Sequence, residues 1–282
     1  MKPTFIVTRH AYSCNNAANS LADKCADPSI TNFGIDSSVG HRVQNNALFG
    51  GNNPVVYVSC LVRTWMTAVC LYGSSNKPLT LRVSPWLKEY HFAPWDKGNM
   101  PQPLPEQVKL FVIFMQYVPR DLRPNHIKVV LDESDSLLFE YDSGKMTVDP
   151  TFRYGEMQYH PDGIQRFYET HKHVLNVRAI AHGTLMKQFP GLSPIDKLFL
   201  KTKQNLWSME IYGETCTVHP GVPYPASNPS ADPICKYNTF ITRSTFRVVG
   251  GRTRRRKTRR LNLLPGPGSF TCSSSARSPL GL

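Results

Sequence analysis

Two cationic side chains stand together where a short apolar run stops: Phe5-Ile-Val-Thr-Arg9-His10, followed by Ala-Tyr-Ser13-Cys-Asn-Asn16. A guanidinium holds phosphate oxygens as a fork and an imidazole is nucleophilic at neutral pH, so the pair suits phosphoryl chemistry. Arg-His alone is a weak signal that equally fits the polar end of a strand. Two later stretches repeat the pattern. Arg63 lies in Ser59-Cys-Leu61-Val-Arg63-Thr-Trp-Met-Thr67-Ala68, after the run Val55–Val58, and His182 lies in Ala181-His182-Gly183, after a run that starts at Val177. Arg63 also falls at the start of a helical pattern, where free backbone N–H groups attract anions.

The apolar runs are what must position these residues. Brief continuous stretches rich in β-branched residues fit strands covered on both faces, as in a parallel sheet. Leu79–Val83 and Ile127–Leu131 read the same way, and Leu206–Tyr212 reads as a last strand. Helices are expected between them. One is capped by Thr31, with Ile35, Val39 and Val43 as its apolar stripe. Others follow Ser59 through Cys70, run from Pro105 to Val118 and from Ile164 to Leu175, and leave Gly183 before Pro190. Parallel strands end on one edge, where open α/β sheets take their ligands. Arg9, His10, Arg63 and His182 are therefore expected to converge there. Two guanidiniums and two imidazoles around one point favour a phosphoryl dianion, each charge-assisted contact contributing about 1.5–3 kcal/mol.

At this point the chain resembles the histidine phosphatases, the phosphoglycerate mutase-like superfamily. The resemblance rests on Arg9-His10-x-x-Ser13-x-x-Asn16, Ser59-x-Leu61-x-Arg63 with Thr67-Ala68, and Ala181-His182-Gly183. Ile30-Thr31-x-x-Gly34 is similar to the family's Leu-Thr-x-x-Gly helix start. The motifs come in the family's order over about residues 3–212. The resemblance implies an α/β three-layer sandwich with a mostly parallel central sheet. It implies a phosphomonoester hydrolase with His10 as the nucleophile that becomes phosphohistidine. Arg9, Arg63 and His182 would hold the phosphoryl oxygens with Asn16 beside them, and Glu89 would be the proton donor, with Asp96 in reserve. No cofactor and no metal is expected, since cationic side chains already neutralise the phosphate. The partner implied is a small-molecule or peptide phosphomonoester. Two departures stand out: Ala11-Tyr12 replaces the family's Gly-Glu, and Tyr90 replaces the arginine of the mutases' Leu-x-Glu-Arg-His-Tyr. They favour phosphatase over the alternative of a mutase-type phosphotransferase.

The 282 residues suffice for one domain with an insertion and a tail. The expected division is 1–217 for the α/β domain, 218–246 for a Pro-rich extended wrap and 247–282 for a disordered Arg-rich tail. Residues from about 90 to 160 are read as an insertion over one edge, with Asp132 to Gly144 as a loop or lid. Of the net charge of +13, residues 247–282 carry +9, so the basicity belongs to the tail rather than to a folded face. A nonspecific nucleic-acid or acidic partner for Arg252–Arg260 is the competing reading, in which the α/β domain is a silent scaffold. The seven scattered cysteines include no Cys-x-x-Cys pair, which argues against a zinc ribbon or a disulfide scaffold and for reduced thiols, with Cys14 a packing residue. No apolar stretch reaches bilayer length and no secretory signal is apparent. A soluble intracellular protein, cytoplasmic or directed elsewhere by its basic tail, is the expectation.

Overall fold

A computed structural model describes residues 4–18, 24–50, 54–90, 97–154, 157, 159–200, 204–226 and 232–238. The strands are β1 (Phe5–Arg9), β2 (Val55–Val58), β3 (Leu79–Val83), β4 (His126–Leu131), β5 (Leu137–Asp142), β6 (Lys145–Val148), β7 (Val177–Ala181), β8 (Gln204–Asn205), β9 (Ser208–Tyr212), β10 (Thr215–His219) and β11 (Val222–Pro223). The helices are α1 (Cys14–Ala17), α2 (Asn32–Gln44), α3 (Asn46–Phe49), α4 (Val62–Tyr72), α5 (Leu104–Met115), α6 (Gly163–His171), α7 (Gly183–Met186) and α8 (Pro194–Phe199), with one more helical turn at 233–238.

Nine strands form one sheet in the order β10-β9-β1-β7-β2-β3-β4-β5-β6. The five from β1 to β4 in that order are mutually parallel, and the outer pairs at both edges are antiparallel. Both faces of the parallel part are covered, and alternation along the strands divides them. Val56 and Val58 point into a core built with α4 and α5, whereas Tyr57 joins α6 and α7 on the other side. Trp65, Phe111 and Phe114 fill the first core and Phe167, Phe189 and Trp207 the second, all essentially inaccessible. Each such side chain contributes roughly 1.5–3 kcal/mol of burial free energy. The result is the expected α/β sandwich.

Several local expectations are corrected. The Asp132–Gly144 stretch contains a strand, β5, which forms a hairpin with β6 on the sheet edge. Only Leu138 and Phe139 of β5 are buried, so its polar, half-exposed sequence concealed the strand. Within 90–160, β4, β5 and β6 thus extend the sheet edge, and α5 covers a face of the sheet. Leu206–Tyr212 is not the last strand, because β10 folds back on β9 after a turn at Gly213, whose positive φ of 67° suits glycine. The stripe on α2 is broken: Ile35 is buried, but Val43 is 73% exposed, and Ser38 and His41 occupy the inner face instead. Thr31 does cap that helix, accepting from the Gly34 N–H at 3.0 Å.

Cysteine usage differs as well. Cys14, at the start of α1, is bonded to Cys235, so neither is a free thiol. The partners lie 221 positions apart, and no spacing rule could pair them. The same C-terminal turn is held by polar contacts to the α2 entry: Asp232 Oδ2 accepts from the Asn32 N–H and Asn238 Oδ1 from the Ser29 N–H, both at 2.7 Å. The stretch from 218, expected to be an extended wrap, therefore contains β11 and a helical turn, stapled beside the loop after His10. His91, Asp96 and all of 239–282, including the Arg252–Arg260 tail, lie outside the described residues.

Candidate active site

Register determines what meets at the carboxyl edge. Arg9 is the partner of Ala181 across the parallel pair β1·β7, and the His10 N–H donates to the Ala181 carbonyl at 3.0 Å. His10 and His182, each one residue beyond its strand, are therefore neighbours, with ring centroids 5.2 Å apart. β2 lies on the other side of β7, and the turn after it opens α4, which carries Arg63 in its first turn. Arg63 Nη2 reaches His182 Nδ1 at 3.2 Å. The three sequence segments converge as expected.

Their hydrogen bonds define protonation. His10 Nδ1 lies 2.7 Å from its own neighbour's carbonyl, Ala11 O, and must donate to it; Nε2 then keeps the lone pair. Burial, then Arg63 and Arg9, hold its pKa well below the ordinary 6.5, so the ring is neutral at physiological pH. His182 Nδ1 accepts from Arg63, which puts its proton on Nε2. Burial and the same cations, with His10, keep this ring neutral too. Glu89 Oε2 lies 4.0 Å from His182 Nδ1. Burial raises its pKa, opposed by the Tyr90 N–H, Arg63, Arg9 and the Thr184 N–H. With His182 neutral, that contact is not an ion pair.

Second-layer contacts hold each group. Arg63 Nη1 donates to Gly98 O and Nη2 to Asn99 Oδ1, both at 2.8 Å, and Asn99 Nδ2 donates to Tyr90 O at 2.8 Å, which ties the arginine to the Glu89 segment. The Thr67 hydroxyl donates to Arg63 O and accepts from the Ala11 N–H, bridging α4 to the His10 loop. Arg9 donates through Nη1 to Gln204 O and through Nη2 to the Tyr224 hydroxyl, 2.9 Å away. Its shaft lies flat over the start of α7, where a Cβ at position 183 would stand 2.9 Å from Nε and 3.2 Å from Cδ. Gly183→Ala should therefore displace Arg9 while leaving the buried strands intact. An anion held by Arg9 should bind about tenfold more weakly, a loss of roughly one charge-assisted contact, measurable as the inhibition constant of inorganic phosphate.

Asn16 takes a different place. Its Oδ1 accepts from the Ser13 N–H and hydroxyl, fixing the turn after His10, and no described contact joins it to the two arginines or to His10 and His182. Gly34 packs against the same loop, since a Cβ there would meet Tyr12 O at 2.4 Å. Sequence reasoning passed over Asp27. This buried residue, at φ 43°, accepts from the Val62 N–H at the start of α4 and from Gln107 Nε2, which also donates to Cys60 O. Burial pushes its pKa up to about 6 despite those bonds. Asp27-Pro28 reads as a turn, and nothing in its neighbours announces a cap for a helix 35 residues away. Tyr224 and Gln204 were likewise unmarked.

Three buried nitrogens of this cluster, Arg9 Nε, Arg63 Nε and His182 Nε2, have no hydrogen-bond partner among the described residues. Native interiors leave few such donors, and three in one cationic cluster fit an anion with several acceptor oxygens. Among the described residues no three His, Cys, Asp or Glu side chains gather as a metal-holding group. Fold and site together describe an α/β protein with a cationic cluster and a neutral, buried histidine at the carboxyl edge of its parallel strands.

The comparisons with known proteins add the following. No family model and no curated sequence matches the chain. Among solved structures it is similar to an Escherichia coli protein described as an alpha-ribazole-5'-P phosphatase, at 13% identity and TM-score 0.43 over 80% of this chain and 100% of that one. It is also similar to a phosphoserine phosphatase mutant from Entamoeba histolytica in complex with phosphoserine, at 14% identity and TM-score 0.39, over 80% and 97%. A mycobacterial glucosyl-3-phosphoglycerate phosphatase gives 12% and 0.37, over 79% and 99%. With TM-scores this low, the likenesses do not by themselves assign a reaction.

Proposed function

We propose that the chain is a phosphomonoester hydrolase that works through a phosphohistidine on His10. The observation that supports this most is the set of three unpartnered buried nitrogens beside a histidine whose tautomer leaves Nε2 nucleophilic. In the reaction, His10 Nε2 forms a bond to phosphorus as the bond to the leaving oxygen breaks. Glu89, protonated, gives its proton to that oxygen. Water then attacks phosphorus from the vacated side, Glu89 takes its proton, and the P–N bond breaks to release phosphate and neutral His10. Arg9, Arg63 and His182 hold the three non-bridging oxygens throughout, since phosphoryl transfer depends on alignment and charge stabilisation more than on covalent complexity. Tyr12 is buried and its hydroxyl donates to Asn16 O, so the position of the family's Glu contributes no carboxylate to the pocket, in keeping with hydrolysis over a mutase cycle.

The test is turnover of an aryl phosphate by the purified full chain, followed by a panel of sugar phosphates, phosphopeptides, nucleotides and inositol phosphates. Metal-independent release of phosphate is the expected result. Absence of both turnover and phosphate binding across the panel would remove the reading. Removing 247–282 should leave hydrolysis unchanged, whereas any nucleic-acid binding carried by Arg252–Arg260 should disappear and, in the full chain, fall steeply with salt.

A further inference from the structure

Arg9 presents an asymmetry that the proposed chemistry does not explain. Each of its terminal nitrogens makes a hydrogen bond to a protein group, and both partners come from the chain beyond residue 200. Gln204 O takes Nη1 and the Tyr224 hydroxyl takes Nη2, leaving Nε as the buried donor without a partner. The Tyr224 ring also lies under the guanidinium, 5.8 Å from Cζ to centroid, within cation–π reach. Tyr224 is itself propped edge-on by Tyr12 at 4.9 Å, and Tyr12 by Phe33 at 5.6 Å. This row of rings explains the departure at position 12. An aromatic residue there buttresses the support of Arg9.

We propose that Tyr224 is a positioning residue for the phosphoryl site, fixing the Arg9 guanidinium so that Nε is presented to the anion. The proposal rests on the hydrolase reading above. A guanidinium on a flexible shaft has many rotamers, and each pinned nitrogen removes orientations in which Nε turns from the site. Gly183 closes one side of the shaft, and Gln204 and Tyr224 hold the fork. The carbonyl comes from backbone and cannot be deleted by mutation, so the phenol is the support that can be tested.

The experiment compares the parent, Tyr224→Phe, Arg9→Ala and the double variant, with p-nitrophenyl phosphate as substrate and inorganic phosphate as competitive inhibitor. Tyr224→Phe keeps the ring against Tyr12 and removes only the hydroxyl. Its KM and phosphate inhibition constant should both rise about 3–10-fold, the loss of one hydrogen bond, with a smaller change in kcat and no change in Tm. In the Arg9→Ala background the same substitution should have no further effect, because the group it positions is gone. A merely structural tyrosine would give the same loss in both backgrounds, and that additivity would overturn the proposal. So would a Tyr224→Phe variant with the parent's KM and inhibition constant. If the parent neither turns over the ester nor binds phosphate, the hydrolase reading fails and this proposal falls with it; a working parent with additive variants overturns the tyrosine's role alone.

Discussion

Replacing His10 by alanine should abolish turnover, lowering kcat by roughly 10⁴-fold or more, as removal of a covalent nucleophile does in other enzymes. The size follows from what remains. Arg9, Arg63 and His182 would still gather the phosphoryl oxygens, so the ester should bind with an affinity close to the parent's while no P–N bond can form. Among the described residues, the imidazole of His10 bonds the Ala11 carbonyl through Nδ1 and lies against the tilted His182 ring. Its backbone N–H bond to Ala181 is kept by alanine, so Tm should change little. A rapid-quench experiment with labelled ester adds the direct check. The parent should trap acid-labile, base-stable label on the protein, and His10→Ala should trap none. A variant that hydrolyses as fast as the parent would move the nucleophile elsewhere.

The second large effect belongs to Glu89. Glu89→Gln should lower kcat about 10²–10⁴-fold on an alkyl phosphate, the range for loss of a general acid. In kcat/KM, which reports only the steps through phosphorylation of His10, the loss on p-nitrophenyl phosphate should be much smaller, because that leaving group departs without a proton, whereas the later water attack still uses Glu89 as base. The pH profile separates this role from a structural one. Burial raises the Glu89 pKa, so the protonated acid persists above the ordinary 4.5 and is lost as pH rises through the shifted value. Burial and two guanidiniums lower the His10 pKa, so the neutral nucleophile persists until pH falls well below 6.5. Activity needs neutral His10 together with protonated Glu89, so the acid limb belongs to His10 and the alkaline limb to Glu89. A phosphate ester's own second ionisation, near about 6, overlaps the acid side, so the alkaline limb is diagnostic. It should be present in the parent and absent in Glu89→Gln. Equal losses on both esters with an unchanged alkaline limb would pass the role to another acid, of which Asp96 is the candidate named from sequence.

Much of this site is legible in the chain because its parts are local. Each of β1, β2 and β7 is a short apolar run with a clear end, and Arg9, His10, Arg63 and His182 lie at or shortly after those ends. Parallel pairing then does the rest, since the register Arg9–Ala181 places His10 beside His182 without further information. What escaped reading is what depends on distant pairing. Asp27 caps α4 across 35 residues, Tyr224 reaches Arg9 across 215, and Cys14 finds Cys235 across 221. None carries a periodicity or a motif, and each is a polar or covalent bond whose partner only the folded chain supplies. The β5–β6 hairpin escaped for a different reason. An edge hairpin buries few side chains, so its sequence looks like a loop.

The bond between Cys14 and Cys235 also makes most of the molecule a closed covalent ring, with Arg9 and His10 just outside it and Arg63, Glu89 and His182 within. A single backbone cut at the exposed Ser143-Gly144 turn would put Glu89 and His182 on different pieces, yet the pieces would stay joined until a thiol reductant was added. During synthesis the ring cannot close until residue 235 has left the ribosome. The loop that follows His10 thus receives its covalent anchor only after all nine strands of the sheet have been made.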